Sequence, residues 1–299
     1  MKIKLYNVCA RGRNFGDSIN PIVFERLFGL QTEHAYPTFC DVLGIGSIMQ
    51  MLTLQELLKK KKYFYFYRYS LKPVITMGTG FMFDNIPQGL LSKTYRAVYP
   101  YLLRGKLSHS VLEKINKKQY TDVSYGDLGL IFPYLLDESI SKKYSLGIFP
   151  HMRDFENIYV QKLYKNNKNA IIINSQDDPL VILRQISECE TIVSSSLHGL
   201  VAADGLNIPN KRIKLSNHGY SNNIDFKFND YYSIYSSDVP EYIDFTNIDI
   251  EAEPPFELLT PQSIQDDYRI NFEEVKNVQN MLLKKGTDLA KVIETVRNP

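Results

Sequence analysis

The stretch "TIVSSSLHGLVAADGLNIPNKRIKL" (191–215) decides the fold class. "TIVSSS" is a short, β-branched run that reads as a buried strand. "HGLVAADGL" reads as a helix and "NKRIKL" (210–215) as the following strand. A strand, a helix and a second strand in direct succession form the unit of a parallel sheet. His198 lies at the mouth of the strand-to-helix turn, between three serines and a glycine. A core histidine has apolar neighbours on both sides, and a solvated one does not need small residues around it. Two readings remain: a buried histidine that caps the strand end, or a general acid or phosphate donor presented to a ligand.

The same alternation extends in both directions. Towards the N-terminus, "KYSLGIFP" (143–150) and "NAIIINS" (169–175) read as strands, and "RDFENIYVQKLYK" (153–165) and "DPLVILRQISEC" (178–189) as helices. An earlier α/β series precedes them. It has strands in "KIKLYNV" (2–8), "DVLGIGS" (41–47), "KPVITMGTG" (72–80) and "TYRAVYPYLLRG" (94–105). Its helices are "NPIVFERLFG" (20–29), "LTLQELLKKKK" (52–62) and "LSHSVLEKIN" (107–116), the last capped by Ser108, and "DVSYGDLGLIFP" (122–133) closes it. The polar break near "LLDESISKK" (135–143) separates the two series. The expectation is an α/β protein with two Rossmann-like domains, 1–140 and 141–253. The tail, 254–299, has amphipathic helical spacing in "IQDDYRINFEEVKNVQNMLLKKGTDLAKVIETV" and is expected to pack back toward the first domain.

Composition narrows the function. The net charge of +2 on 299 residues shows no basic stripe, which argues against a nucleic-acid binder. No apolar run approaches the ~20 residues that cross a bilayer. Cys9, Cys40 and Cys189 are odd in number and far apart, as in a reducing cytoplasm. No cluster has metal-ligand spacing, so neither a metal nor a cofactor is expected. His34, His109 and His218 carry no comparable signal. The run "LKKKKYFYFYRYS" (58–70) has two readings: a helix end followed by an edge strand, or a contact with a membrane surface at the inner face of the cell.

In open α/β sheets, ligands bind beyond the carboxyl ends of the strands. The turns there are 11–18, 44–47, 78–80, 104–108, 126–129, 150–154, 194–199 and 216–223. In the first, Gly16 permits a tight turn, and Asp17 or Ser18 suits a helix cap or an anion site. "GIGS" (44–47) and "GTG" (78–80) lack the full dinucleotide fingerprint. Arg104 ends one strand, and His151 and Arg153 follow another. Arginine at such a point is either a salt-bridge partner or an anion clamp. Two of them near His198 point to an anionic small ligand.

These turns, taken in order, resemble those of the polysaccharide pyruvyl transferases. The match rests on "NFGDSINP" (14–21), "GIGS", "GTG", "RGKLS" (104–108), "GDLGLIFP" (126–133), "SSSLHGLVAADGLNIP" (194–209) and, more weakly, "FKFNDYY" (226–232). The resemblance implies a glycosyltransferase-B-like arrangement and transfer of a pyruvyl group from phosphoenolpyruvate (PEP) to a glycan or lipid-linked sugar, as a cyclic ketal. It implies His198 as general acid or phosphate holder and Asp17 as the group that orients or deprotonates the acceptor. Arg104, Arg153 and His151 would hold PEP. Ser196, Leu197, Gly199, Asn14 and Gly16 complete the implied substrate contacts. Many relatives carry arginine where this chain has Ser196, which shifts the anion-binding role to other residues. The alternatives are a nucleotide-sugar glycosyltransferase on the same frame and a non-catalytic glycan-binding relative.

Overall fold

The computed structural model of the chain describes residues 1–7, 14–59, 70, 72–86, 89–137, 140–217, 224–248 and 255–297. Residues 60–69 of the lysine-aromatic run, Cys9 and His218 lie outside them. Among the described residues there are two sheets, and every strand pairing in both is parallel.

The first sheet holds β1 (Lys2–Tyr6), β2 (Gln31–His34), β3 (Val42–Leu43), β4 (Val74–Thr79), β5 (Val98–Leu103) and β6 (Ser124–Tyr125), in the order β2-β1-β3-β4-β5-β6. β4, "VITMGT", is buried along its whole length, as a strand covered on both faces must be. The second sheet holds β7 (Tyr144–Phe149), β8 (Ala170–Ile172), β9 (Cys189–Ser194), β10 (Asn210–Lys214) and β11 (Ile243–Asp244), in the order β11-β10-β9-β7-β8.

These orders locate the crevices. In the first sheet the chain places β2 on one side of β1 and β3 on the other. In the second, β8 and β9 flank β7 in the same way. Each reversal opens a crevice beyond the strands' carboxyl ends. The crevice of the first sheet lies between the turns that follow β1 and β3, around Asp17 and Ser47. That of the second lies between the turns that follow β7 and β9, around His151 and His198. Phe15, beside the first crevice, packs edge-on against Phe149 at the end of β7, with ring centroids 5.8 Å apart. The two crevices therefore meet.

The helices are α1 (Phe15–Ser18), α2 (Asn20–Phe28), α3 (Leu54–Lys59), α4 (Lys106–Asn116), α5 (Ile158–Asn166), α6 (Pro179–Ser187), α7 (Leu197–Gly205), α8 (Phe226–Tyr232), α9 (Pro261–Asp267) and α10 (Phe272–Arg297). α2 stops where Gly29 takes the left-handed conformation (φ 66°), as expected of a glycine past a helix end. α10 buries Val275, Gln279, Leu282, Gly286, Leu289 and Ile293, a spacing of three and four that makes one continuous stripe. It lies on α2, on α7 and on the 3-10 segment Leu128–Leu135. Gly286 is required there, because a methyl group would fall 1.9 Å from the Phe28 ring. The Gln279 amide donates to the carbonyls of Leu130 and Gly205 and so ties the tail to both series.

Several local expectations are corrected. Ser108 does not cap α4; the helix begins two residues earlier, after Gly105. Its hydroxyl instead donates to Asp230 at 2.6 Å and accepts from the Phe81 N–H. Neither Asp17 nor Ser18 caps α2, whose cap position is Ile19. The helix expected at 153–165 begins at Ile158, capped by Asn157, and residues 151–156 form a turn. β2 gives no apolar signal because it is a mostly exposed edge strand.

Candidate active site where the two crevices meet

His198 is the second residue of α7. Its imidazole lies directly on Gly16 of α1: a Cβ at Gly16 would sit 2.0 Å from His198 Nδ1. Nε2 is buried and has no hydrogen-bond partner among the described residues. Burial, and then the nearby charges of Lys227 and Arg104, push the imidazole down to about 3. The ring is therefore neutral at pH 7 when no ligand is bound.

Asp17 stands on α1, one residue from the glycine that receives the ring. Asn14 donates to its Oδ2 at 2.8 Å. Its Oδ1 would lie 3.3 Å from a Cβ at Gly46, so the carboxylate faces the turn after β3. Burial raises its pKa to about 6, and the Asn14 bond and Lys227 oppose the rise. Asn20 holds this corner together. Its Oδ1 accepts from the Ile45 N–H at 2.7 Å, and its Nδ2 donates to the Gly16 carbonyl at 3.0 Å.

Lys227 on α8 was not identified from the sequence. It is only 7% exposed, its ammonium lies 5.1 Å from the centroid of the Phe228 ring, and it forms no ion pair with a carboxylate among the described residues. Burial, then Arg104 and Arg212, lower its pKa to about 8, against the pull of Asp154 and Asp225. A buried cation without an ion-pair partner is costly, and an anionic ligand would remove the cost. The available signal was its place in "FKFNDYY", where one lysine stands between two phenylalanines.

Arg104, expected as an anion clamp, is wholly buried and engaged internally. Its Nε and Nη2 reach Asp230 Oδ2 at 2.9 Å, Nη1 donates to Ser47 Oγ and Nη2 to the Phe81 carbonyl, both at 2.5 Å. It fixes the turns after β3 and β4 against α8 and adds positive field near His198. Arg212 is similar. Its guanidinium pairs with Asp225 and lies between the rings of Phe228 and Tyr242, 3.6 and 4.1 Å from their centroids.

Behind His198, Asp154 accepts from Ser195 Oγ at 2.7 Å and Ser216 Oγ at 2.5 Å, so the turns after β7, β9 and β10 move as one. His151 donates its backbone N–H to Ser195 Oγ, and its Nδ1 accepts from the Arg153 N–H. Arg153 itself is exposed on this turn. Ser196 caps α7 without a side-chain bond to the helix.

The small residues around His198 serve packing more than ligand access. At Gly199 a Cβ would meet the Phe149 ring at 2.5 Å and Ser194 Oγ at 2.6 Å. Gly16 makes room for the imidazole. Leu197 points into the core, 3% exposed. Asn14 supports Asp17. The structure thus brings His198, Asp17, Gly16, Asn14 and Arg104 together with Lys227. It places Arg153 and His151 on the neighbouring strand-end turn.

A neutral histidine, a carboxylate and a buried lysine thus stand together at the strand ends of the two sheets. The polysaccharide pyruvyl transferase family model matches residues 10–210, and the chain belongs to that family. An uncharacterized protein of Acanthamoeba polyphaga mimivirus is 27% identical over 174 residues, 57% of this chain and 58% of that protein. The chain thus matches less than two thirds of that relative's length. Among solved structures, an uncharacterized protein of Klebsiella pneumoniae aligns with 82% of this chain and 93% of its own, at 14% identity and a TM-score of 0.41. The Escherichia coli heptosyltransferase solved with ADP-2-deoxy-2-fluoro heptose aligns with 89% of this chain and 98% of its own, at 10% identity and a TM-score of 0.32. No helix among the described residues is long and apolar enough to cross a membrane.

Proposed function

We propose that the chain transfers the pyruvyl group of PEP to two hydroxyls of one sugar, forming a cyclic ketal and releasing inorganic phosphate. The observation that carries this reading is His198. It is a neutral imidazole with a free, buried Nε2, held beside two cations that an anionic donor would neutralise. In this reading residues 1–140 form the acceptor side and 141–253 the donor side, a glycosyltransferase-B-like division. No metal or cofactor is called for, and the reaction belongs where PEP is found, in the cytoplasm or at the inner face of its membrane.

PEP carries a carboxylate and a phosphate. Lys227 meets this charge, with the Ser196 hydroxyl and the Arg153 turn at the neighbouring strand ends. Arg104 acts through its field and by holding Ser47 in place. Burial is the largest cause that keeps His198 neutral, and the donor's negative charge opposes the smaller contributions of Lys227 and Arg104, so in this reading the imidazole gains proton affinity as the anion enters and acts in its protonated form. It then delivers that proton to the PEP methylene carbon. The adjacent carbon becomes oxocarbenium-like, and a sugar hydroxyl attacks it. Asp17, ionised above about pH 6, takes the hydroxyl proton. The carbon–oxygen bond to phosphate breaks, and the second hydroxyl closes the ring. Of the two hydroxyl protons, one replaces the proton given to the methyl group and one leaves on phosphate.

Thermal-shift titration tests the donor. Stabilisation by PEP and not by nucleotide sugars is the expected result. Stabilisation by nucleotide sugars alone would assign the site to glycosyl transfer instead.

A further inference from the structure

A cavity of about 480 Å³ opens beside the first half of β10, and none of His198, Asp17 and Lys227 lines it. Small-molecule sites usually occupy ~300–1,000 Å³. One wall is the start of β10, the second is the segment between α8 and β11, and the third is the connection from α9 to α10. These walls are tied to the rest of the fold. Asn210 and Tyr268 both donate to Asp204 Oδ1, at 2.7 and 2.8 Å. Ser236 binds Glu274 of α10 through its hydroxyl and its N–H, which anchors the segment after α8.

Two polar groups on these walls are unspent. Arg212 is 4% exposed, and its Nε has no acceptor among the described residues. The Asp225 pair and the rings of Phe228 and Tyr242 hold this guanidinium, so it does not turn to water to meet the deficit. Ser237 Oγ is likewise buried without a partner. Unmet donors are a standing cost that a ligand acceptor would relieve. The acceptor that fits the planar fork of an arginine is a carboxylate.

The charges of the lining define the remainder of the ligand. Lys211 pairs with Asp267 at 2.9 Å, and Arg212 with Asp225. Arg269 is left as a cation, its Nη1 turned onto the carbonyls of Asp266 and Tyr268. Asp238 and Glu241 are left as exposed acids, with no ion pair among the described residues. Two unpaired carboxylates against one unpaired cation leave an excess of one negative charge. A ligand with one carboxylate and two cationic groups meets the arginine and offsets the excess. The rings of Tyr232 and Tyr268, also on the lining, suit an aliphatic stem with a cationic head.

We propose that this cavity binds a free basic α-amino acid, its carboxylate on Arg212 and Ser237 and its cationic groups at Asp238 and Glu241. The site stands apart from the transfer reaction, and the proposal does not depend on that reading.

The test is calorimetric titration of the full chain with L-arginine, agmatine and L-glutamate. The variant Asp238→Asn/Glu241→Gln, changed at exposed positions, is titrated with L-arginine, and a thermal melt confirms that it is folded. L-arginine should bind the wild type saturably. Agmatine is the same molecule without the carboxylate, and L-glutamate lacks the second cation; each should bind at least about tenfold more weakly. The variant should lose L-arginine affinity by about tenfold or more. Absence of saturable L-arginine binding would overturn the proposal. So would agmatine or L-glutamate binding as tightly as L-arginine, or full affinity in the variant.

Discussion

Gly16→Ala puts the catalytic geometry at stake with a single methyl group. Gly16 lies within a helix, where alanine is ordinarily favoured over glycine by about 1 kcal/mol. Local propensity therefore predicts a small gain in stability. Packing predicts the opposite. The new Cβ would fall 2.0 Å from His198 Nδ1 and 2.3 Å from two ring carbons, against 3.4 Å for ordinary contact. The imidazole must retreat by roughly 1.4 Å, and its freedom to do so is limited by its buried Nε2 edge and by the next residue, Gly199, which is packed against Phe149. A displacement of this size at a reacting group costs on the order of 100-fold in rate. The strain itself costs about 1–3 kcal/mol of stability. Lys227 lies outside the clash, so PEP binding should change little. The assay is phosphate release from PEP with an acceptor, run beside PEP titration and a thermal melt. The expected pattern is a rate lowered about 100-fold, a lower melting temperature and near-normal PEP affinity. Wild-type rate, or a stabilised protein, would refute the placement of His198 on Gly16.

Three more outcomes are expected. Lys227→Met should weaken PEP binding by about tenfold or more and raise the His198 pKa from about 3, since one of the charges that depress it is gone; NMR titration of His198 reads the second effect. The value of kcat/KM should fall toward high pH, as the proton that His198 must take up becomes scarce and as Lys227 loses its own above about pH 8, and a rate unchanged from pH 6 to 9 would reject both roles. Asp230→Ala should destabilise the fold by about 3–5 kcal/mol, measured by denaturant unfolding, because it strands the buried Arg104 guanidinium and the Ser108 N–H.

How much of this could be read from the sequence follows physical lines. The alternation of apolar strands and periodic helices survives because central strands such as β4 are buried on both faces and helices such as α10 along one stripe. His198, Asp17 and Arg104 were found because the turns beyond strand ends are where ligands bind, and all three stand there. The role of Arg104 was less legible. Its partner Asp230 is 126 residues away, so nothing local distinguishes a clasp from a clamp. Lys227 was missed for the same reason. Among aromatics it reads as an ordinary helix residue, and only the folded chain brings its charge near the histidine. The glycines misled in an instructive way. Small residues at 16 and 199 signal that something comes close, but the sequence does not tell a ligand from a ring of the protein itself. β2 left no trace because an edge strand of Gln, Thr, Glu and His buries little.

The central claim is that His198 drives pyruvyl transfer from PEP. It is tested most directly by mixing the chain with PEP and a panel of sugars and sugar phosphates, then measuring released phosphate and the mass of each acceptor. The account predicts phosphate release matched by a ketal-linked pyruvate on one acceptor, both abolished in His198→Ala. Undiminished turnover by His198→Ala, or phosphate release with no pyruvate adduct on any acceptor, would contradict it.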